Sequence, residues 1–551
     1  MTLPSAGARR RLIVRSRCSI PVSSGPAHDG RFPLDLRPWV PVLSDGVTKR
    51  VGLRELFLDA HHFDGLAVAL PPAASGLMRI LCAMAARITG LAAMSDPDAW
   101  LDRRYELLTD PRAFDEADVG EYFVQHADGL MLHDADRPFL QDPRLAEDCP
   151  GTSGVNKLVL SRPAGNNQVF FGHFTDAEPV ALSSAEAALH LIAQLYYGPS
   201  GQCTPRTVDG QRFGNSMAGP LRRALSCHPL GRNLYETLLL GIPAPDTWPQ
   251  SPGDEDLCPW EQSQPTAPLD MAPRPAAGPL SMLTGRFQHA VLLRRAPDAE
   301  QVVDTTITWA LRVNRPEVAD PYLIWDERKD GGLHPRDAKA ERALWRDLDA
   351  LVLQQRSGGG RRPKIFDTLT GGQLPEPVFR ALRVIAYGFD QDGQTRDRTY
   401  FTAMTPPLFG LLDASDTGAD TALARGVETG REAAEKAAWH LTTALRGAWR
   451  EYTTPFTDDR AAAGKAIGGK AAKGTGPWPD AALAAYWPAA EELFWNLLDS
   501  QDFSTSLPDF GRVALRVFDE VTMSVAAEPR GAKAREHARG LVRTLLTGST
   551  R

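Results

Sequence analysis

Residues 384–401 read VIAYGFDQDGQTRDRTYF. Apolar and aromatic residues flank a DQDG turn, where Gly393 can supply the positive φ that a tight turn needs. The pattern predicts a β-hairpin with Gln394 at its tip. The chain changes character just after it. From about Pro406 alanine-rich helical segments dominate, at 420–451, 480–499, 508–525 and 532–547. Four helices with polar connections predict a bundle. The expected fold class is therefore α+β. A disordered basic tail over 1–30 precedes a large mixed α/β domain over 31–404, and a helical bundle follows over 405–551.

Upstream of the hairpin, strand and helix signals alternate. FPLDLRPWVPV, starting at Phe32, reads as a short edge strand because Pro38 and Pro41 interrupt its β-formers. Thr48–Ala60 follows as a helix, and Pro71-Pro72 opens a long apolar helix to about Leu91 that must be core. Further helices are expected at Asp98–Leu108, Asp115–Gln125, Arg232–Leu240 and Leu344–Leu353, with paired strands at Arg286–Leu293 and Val302–Leu311. The stretch 245–279, full of Pro, Asp and Gln, reads as an exposed connector. SGGGRR at 357–362 and the lysine-bearing segment 460–476 read as flexible loops.

Two polar segments stand out. TSGVNKLVLSRPAGNNQVFFGH, Thr152–His173, has one Lys and one Arg and no acid, so it suits phosphates better than a core. YYGPSGQCTPRTVDGQRFGNSMAGP, Tyr196–Pro220, reads as a second glycine-rich loop. Together they suggest a nucleic-acid surface. With a net charge of −7 over 551 residues, such a surface has to be local. Lys533, Arg535, Arg539 and Arg543 add a basic stripe on the last helix, which suits either a solvated face or a ridge that follows phosphates.

Other chemistry finds little support. The six cysteines form no C-x-x-C pair, which argues against a structural zinc and fits a reducing cytoplasm. No apolar run is long enough to span a membrane. No Walker loop, nucleophile elbow or H-E-x-x-H motif occurs, so neither catalysis, a cofactor nor a metal is expected. The adjacent pair His133-Asp134 carries the competing reading, a metal-dependent nuclease or phosphohydrolase, but the further ligands of a two-metal site are not evident.

An ordered series of segments resembles the CasA (Cse1) family, the large subunit of the type I-E CRISPR surveillance complex Cascade. It comprises FPLDLRPWVPV, LRELFLDAHHFDGLA, DADRPFLQD, NKLVLSRPAGNNQVFFGH, the YYGPSG loop, GRNLYETLLLGIP, ERALWRDLDALV, YGFDQDGQTRD and AYWPAAEELFWNLL. The resemblance runs from about Arg31 to the end and rests on the order of the set. It implies a non-catalytic subunit that recognises the protospacer-adjacent motif in double-stranded DNA and promotes duplex opening and R-loop formation. Such a subunit stabilises the displaced strand and recruits a helicase-nuclease for antiviral defence. The implied partners are the CRISPR RNA 5′ handle, target duplex, the backbone, handle-capping and small subunits, and the helicase-nuclease.

Carried over by residue, the segment with Asn156, Lys157, Val159, Ser161, Arg162, Asn166 and Asn167 matches the loop that anchors onto the RNA handle and neighbouring subunits. Gly198, Ser200 and Gly201 match the glycine loop that reads the motif from the minor groove. Gln394, with Thr395 beside it, matches a wedge that blocks re-annealing, and the basic stripe would hold the displaced strand. In one respect the chain departs from the family. A lysine finger is expected near Thr308, where TTITWALRVN has none, and Arg312 or Arg315 would have to substitute. Some members also carry Cys pairs near the connector, where this chain has only Cys258.

Overall fold

The computed structural model describes residues 30–110, 112–164, 173–247, 255–263, 277–297, 300–311, 320–353, 360–392, 396–412, 421–453 and 476–547. The expected basic tail lies outside them except for Gly30, as does 460–475.

The chain opens with an antiparallel sheet in the order β2-β1-β3, made of β1 (Val40–Ser44), β2 (Val47–Val51) and β3 (Gly65–Leu66). This corrects two expectations. FPLDLRPWVPV becomes a strand only from Val40, and β1 has a neighbour on each side, so it is not an edge. Pro41 lacks an N–H, but its carbonyl still accepts from Ala67. The helix expected from Thr48 is only α1 (Leu53–Leu58). Asp45 and Gly46 both take positive φ, 51° and 75°. That turn folds Val47–Val51 back on β1, and a close two-residue turn outweighs helical spacing there.

The long helix α2 (Pro71–Ile88) is the centre of the body: every residue but Arg87 is buried. Two prolines start it where their missing N–H groups are not needed. Each fully buried Leu or Ile, such as Leu77, Ile80 and Leu81, contributes about 1.5–3 kcal/mol of burial. α3 (Pro97–Thr109) and α4 (Glu116–Gln125) match expectation, with Asp96 and Asp115 capping their first turns. The turn α5 (Leu145–Asp148) and strand β4 (Leu182–Ser183) lead into α6 (Ser184–Tyr197), which starts with a Ser183–Glu186 capping box. α6 presses its Ile192 and Tyr196 onto Gly76 of α2, where a Cβ would come within 2.6 Å of both.

The remaining strands are β5 (Gly201–Val208), β6 (Gln211–Ser216), β7 (Ser226–Leu230), β8 (His289–Arg295), β9 (Gln301–Trp309), β10 (Trp325–Glu327), β11 (Leu333–Pro335), β12 (Arg383–Asp392) and β13 (Arg396–Met404). β12 pairs with both β13 and β7, and β8–β9 pair as expected. The helices between them are α7 (Leu234–Leu240), α8 (Pro279–Gly285), α9 (Asp349–Val352) and α10 (Glu376–Ala381). The connector expected over 245–279 is not uniformly exposed. Cys258 and Trp260 are buried, and Glu261 accepts from Arg87 and from the Tyr122 hydroxyl, at 3.1 Å each. The end of SGGGRR is likewise tethered, because Arg361 pairs its backbone with Trp325.

After the short α11 (Phe409–Leu412) the described residues are mainly helical. α12 (Ala422–Thr453) packs against α13 (Trp478–Asp499), α14 (Ser506–Val521) and α15 (Pro529–Arg543), forming the expected four-helix bundle. Its seam is alanine and leucine at helical spacing: Ala434, Ala437, Leu441, Ala444, Leu445 and Ala448. The bundle docks onto the segment 342–349. Trp345 packs against Phe494 at 4.7 Å and Trp487 at 6.2 Å. Arg342 and Arg346 both reach Glu435 at 2.7 Å, and Arg346 lies 3.5 Å over the Trp487 ring. Among the described residues no helix is long and apolar enough to cross a membrane.

Candidate nucleic-acid interface

The first polar segment is only partly a surface loop. Val155, Leu158 and Val159 are buried, so it is a better core element than its composition suggests. The Asn156 amide donates to the Thr175 carbonyl and to Asp176, at 3.0 and 3.1 Å. Ser161 is exposed, and Arg162 lies 4.5 Å over Phe174 while donating to the Val180 carbonyl at 2.8 Å. Burial holds the Lys157 ammonium below the usual amine range, and its Nζ donates to the Gln202 carbonyl at 3.1 Å. Asn166 and Asn167 lie outside the described residues.

The second polar segment is largely a hairpin rather than a loop. Asp209 and Gly210, at φ 48° and 76°, turn β5 back into β6. The missed signal was V-D-G-Q between β-formers. The pairing slips between Gln202 and Arg206, so β5 bulges around Pro205. Bulging frees backbone groups from the ladder, and the surrounding body takes them up. Thr308 donates to the Thr204 carbonyl at 2.6 Å, and Ser153 bonds the Thr204 hydroxyl at 2.7 Å. Thr308, near the position of the expected finger lysine, is thus fully buried beneath the hairpin and cannot project. Arg312 and Arg315 lie outside the described residues. The far end of β5 is held by Arg206, buried and paired with Asp142 and Asp148 at 2.9 and 2.7 Å.

Gly198, Ser200 and Gly201 join α6 to this hairpin. Gly198 caps α6 by donating to Gln194 at 2.9 Å, and Gly219 donates back to the Gly198 carbonyl at 2.9 Å. Ser200 is exposed, and Gly201, at φ 129°, has open space where a Cβ would stand. His289 holds the Pro199 carbonyl from below at 3.0 Å. Gly198 is therefore buried, and Gly201 is where a ligand could approach the backbone closely, beside the exposed Pro199 and Ser200.

β12 and β13 pair through Asp392–Arg396, with a register shift at Asp390–Gln391. The tip, with Gln394 and Thr395, lies outside the described residues. Just below the tip, buried Arg222 lies 4.1 Å over Phe389. It donates to Gln391 at 3.3 Å, to the Asp397 carboxylate, and to the Tyr197 carbonyl at 2.6 Å. Nothing in the sequence marks this arginine, because its partners come from three distant segments.

The competing site is structurally committed. His133 bonds the Ser184 hydroxyl at 2.8 Å, and the Asp134 carboxylate accepts the backbone N–H groups of Asp136 and Arg137 at 2.9 and 2.8 Å. Among the described residues no group of three His, Cys, Asp or Glu could hold a metal. Burial, aided by the charge of Arg295, pushes His133 down to about 4, and burial does the same for His190 and His289. These rings are neutral when folded, whereas unfolded histidines take up protons below the ordinary value of 6.5. Stability is therefore expected to fall as pH drops from about 6.5 to about 4 and to be flat just above. Urea midpoints from pH 7.5 to pH 4.5 check this, and equal midpoints would contradict it.

The terminal stripe is divided. Arg539 makes two bonds to Asp519 of α14, at 2.9 and 2.8 Å, and Arg535 reaches Asp519 at 3.3 Å and Thr522 at 2.8 Å. Lys533 and Arg543 are exposed. Charge reversal is expected to separate the two pairs. Arg539→Glu, facing Asp519, should lower the thermal midpoint of the bundle. Lys533→Glu with Arg543→Glu should leave it within about 0.5 kcal/mol of wild type.

The profile of the family CRISPR-associated protein Cse1 matches residues 34–519. The chain is 28% identical over 331 residues to the CRISPR-associated protein CasA/Cse1 of Thermus thermophilus. That match covers 59% of this chain and 61% of the relative, so it spans less than two thirds of the curated relative's length. A chain of a solved CRISPR RNA-guided surveillance complex is 39% identical, with a TM-score of 0.81 over 93% of this chain and 99% of that one. Thermobifida fusca Cse1, 20% identical with a TM-score of 0.72 over 94% of this chain and 99% of that one, shares the fold. The profile match over most of the length, on the fold described above, makes this chain a member of the CRISPR-associated Cse1 (CasA) family.

Proposed function

We propose that this chain is the large subunit of a cytoplasmic RNA-guided CRISPR surveillance complex. In this role it recognises the protospacer-adjacent motif in duplex DNA, promotes opening and R-loop formation, and recruits a helicase-nuclease without itself cutting. The observation that carries the proposal is the 39% identity, over nearly the whole length of both chains, to a chain of a CRISPR RNA-guided surveillance complex. Its partners are then the CRISPR RNA handle, the other complex subunits and target duplex.

The geometry is consistent with this reading. Within Gly198–Gly201, Gly201 leaves backbone uncovered beside the exposed Ser200, which suits the narrow minor groove. Readout there separates mainly A·T from G·C, so several motifs should be tolerated. Gln394, beyond the Gln391–Asp397 pair, would supply the wedge, and a few kcal/mol suffice to bias one unpaired step. Ser161, Arg162 and Lys157 are the accessible members of the segment assigned to the RNA handle, while Asn156 and Val159 shape it from inside. Lys533 and Arg543 remain for the displaced strand.

The test is opening by the assembled complex, followed by fluorescence of a base analogue beside the motif. Gln394→Ala is expected to slow opening about tenfold or more while retaining binding of the motif duplex. Opening at the wild-type rate would remove the wedge from the proposal, and motif-independent binding by wild type would remove motif recognition.

A further inference from the structure

Arg222 ties the β12–β13 hairpin to Tyr197, the residue that leads into the motif segment, and so bridges the two elements that the proposed function makes separate agents. Its side chain is 2% exposed. One Nη donates to the carbonyl of Tyr197, the residue before Gly198, while Nε and the other Nη hold Gln391 and Asp397, which face each other across β12 and β13. The Phe389 ring fixes the guanidinium plane from one side. Backbone bonds secure the same end of the motif segment: Leu221 donates to the Tyr196 carbonyl at 3.0 Å, and Gly219 to Gly198. A lysine could not make these bonds together, because its three donors share one nitrogen, whereas the planar fork of arginine spreads its donors over three nitrogens that reach three separate partners.

We infer that Arg222 is a positioning residue that fixes the spacing between the motif-reading segment Gly198–Gly201 and the end of the β12–β13 hairpin. Motif contact thereby delivers the hairpin to the first base pair beyond the motif. The inference rests on the proposed motif-reading and opening roles and adds a mechanical link between them. It predicts that the link matters for opening an intact pair and not for a target whose pair is already open.

The experiment uses the assembled complex with Arg222→Met and, separately, Asp397→Asn, which attacks the contact from its exposed side. Targets carry the motif followed either by a fully paired duplex or by unpaired bases at the first two positions. On the paired target both variants are expected to open about tenfold more slowly than wild type, the scale set by hydrogen bonds to charged groups. On the pre-opened target they are expected to return to within about twofold of wild type. Arg222→Lys should fail like Arg222→Met. Wild-type opening of the paired target by both variants would overturn the inference. So would equal defects on both targets, which mark a merely structural arginine. If instead wild-type opening does not depend on the motif, the proposed function fails first, and that outcome is seen without any variant.

Discussion

Gly198→Ala is expected to reduce motif-dependent duplex binding by at least tenfold. A Cβ at this position would stand 2.5 Å from the Gln194 carbonyl oxygen, 2.5 Å from its Nε2 and 2.7 Å from the His289 ring. The carbonyl belongs to the α6 backbone, and both side chains are buried, so none of the three can move aside cheaply. Overpacking of this kind costs about 1–3 kcal/mol, and here the shift falls on the segment that would meet DNA. Gly201→Ala gives a contrast. It has open space around it, but its φ of 129° suits only glycine, so the cost is backbone strain, again about 1–3 kcal/mol. Both variants should remain folded by circular dichroism and lose motif duplex affinity at fixed salt. Wild-type affinity in both would exclude this segment from DNA recognition.

The largest loss of stability is expected at the docking of the bundle. Trp345→Ala should cost about 3–5 kcal/mol, because a buried indole packed against Trp487 and Phe494 leaves a large void. Glu435→Ala should cost less, about 1–3 kcal/mol, by a different route: it strips a partly exposed shared carboxylate from Arg346 and from Arg342, which keeps Asp347 at 2.8 Å. The pair can be told apart by pH. Burial alone would raise the Glu435 carboxyl, but the charges and hydrogen bonds of Arg346 and Arg342 hold it below its ordinary 4.5. A carboxylate depressed in this way stabilises the fold fully above its unfolded value, and its contribution is lost as pH falls through the folded value. The defect of Glu435→Ala should therefore shrink below about pH 4.5, while that of Trp345→Ala persists. Differential calorimetry at pH 7 and at the lowest pH where wild type stays folded measures both. An undiminished Glu435→Ala defect would contradict the carboxylate's role.

Periodicity revealed the long helices. α2, α3, α4 and the four bundle helices fall within a few residues of expectation, because each buries a continuous face that the sequence must repeat. Short strands were harder to see. Val47–Val51 and the β5–β6 hairpin depend on Asp-Gly turns at 45–46 and 209–210, the same signal that identified the hairpin after Asp392. Prolines in FPLDLRPWVPV suggested an edge strand, yet a two-residue partner, Gly65–Leu66, was enough to cover it. At the candidate site, the ordered family resemblance pointed to Gly198–Gly201 and to Gln394, the latter outside the described residues. It did not mark Arg222, nor the roles of Ser153 and Thr308, because these arise from contacts between segments far apart in the chain. The basic stripe showed the reverse problem: helical spacing aligned its charges, and only the fold revealed that Asp519 neutralises two of them.

The burial of α2 has a consequence for how the chain is made. This helix emerges early, yet its partners include β12 and β13, the last strands of the mixed body. At about 5–20 residues per second, roughly 15–60 s of synthesis separate the helix from those strands. Through that interval a sheath of Leu, Ile, Met and Ala remains incompletely covered on the nascent chain, a natural target for chaperones. The same delay orders assembly. The bundle is translated after β13, so it meets a body whose last strands have just emerged, and Trp345 awaits it there.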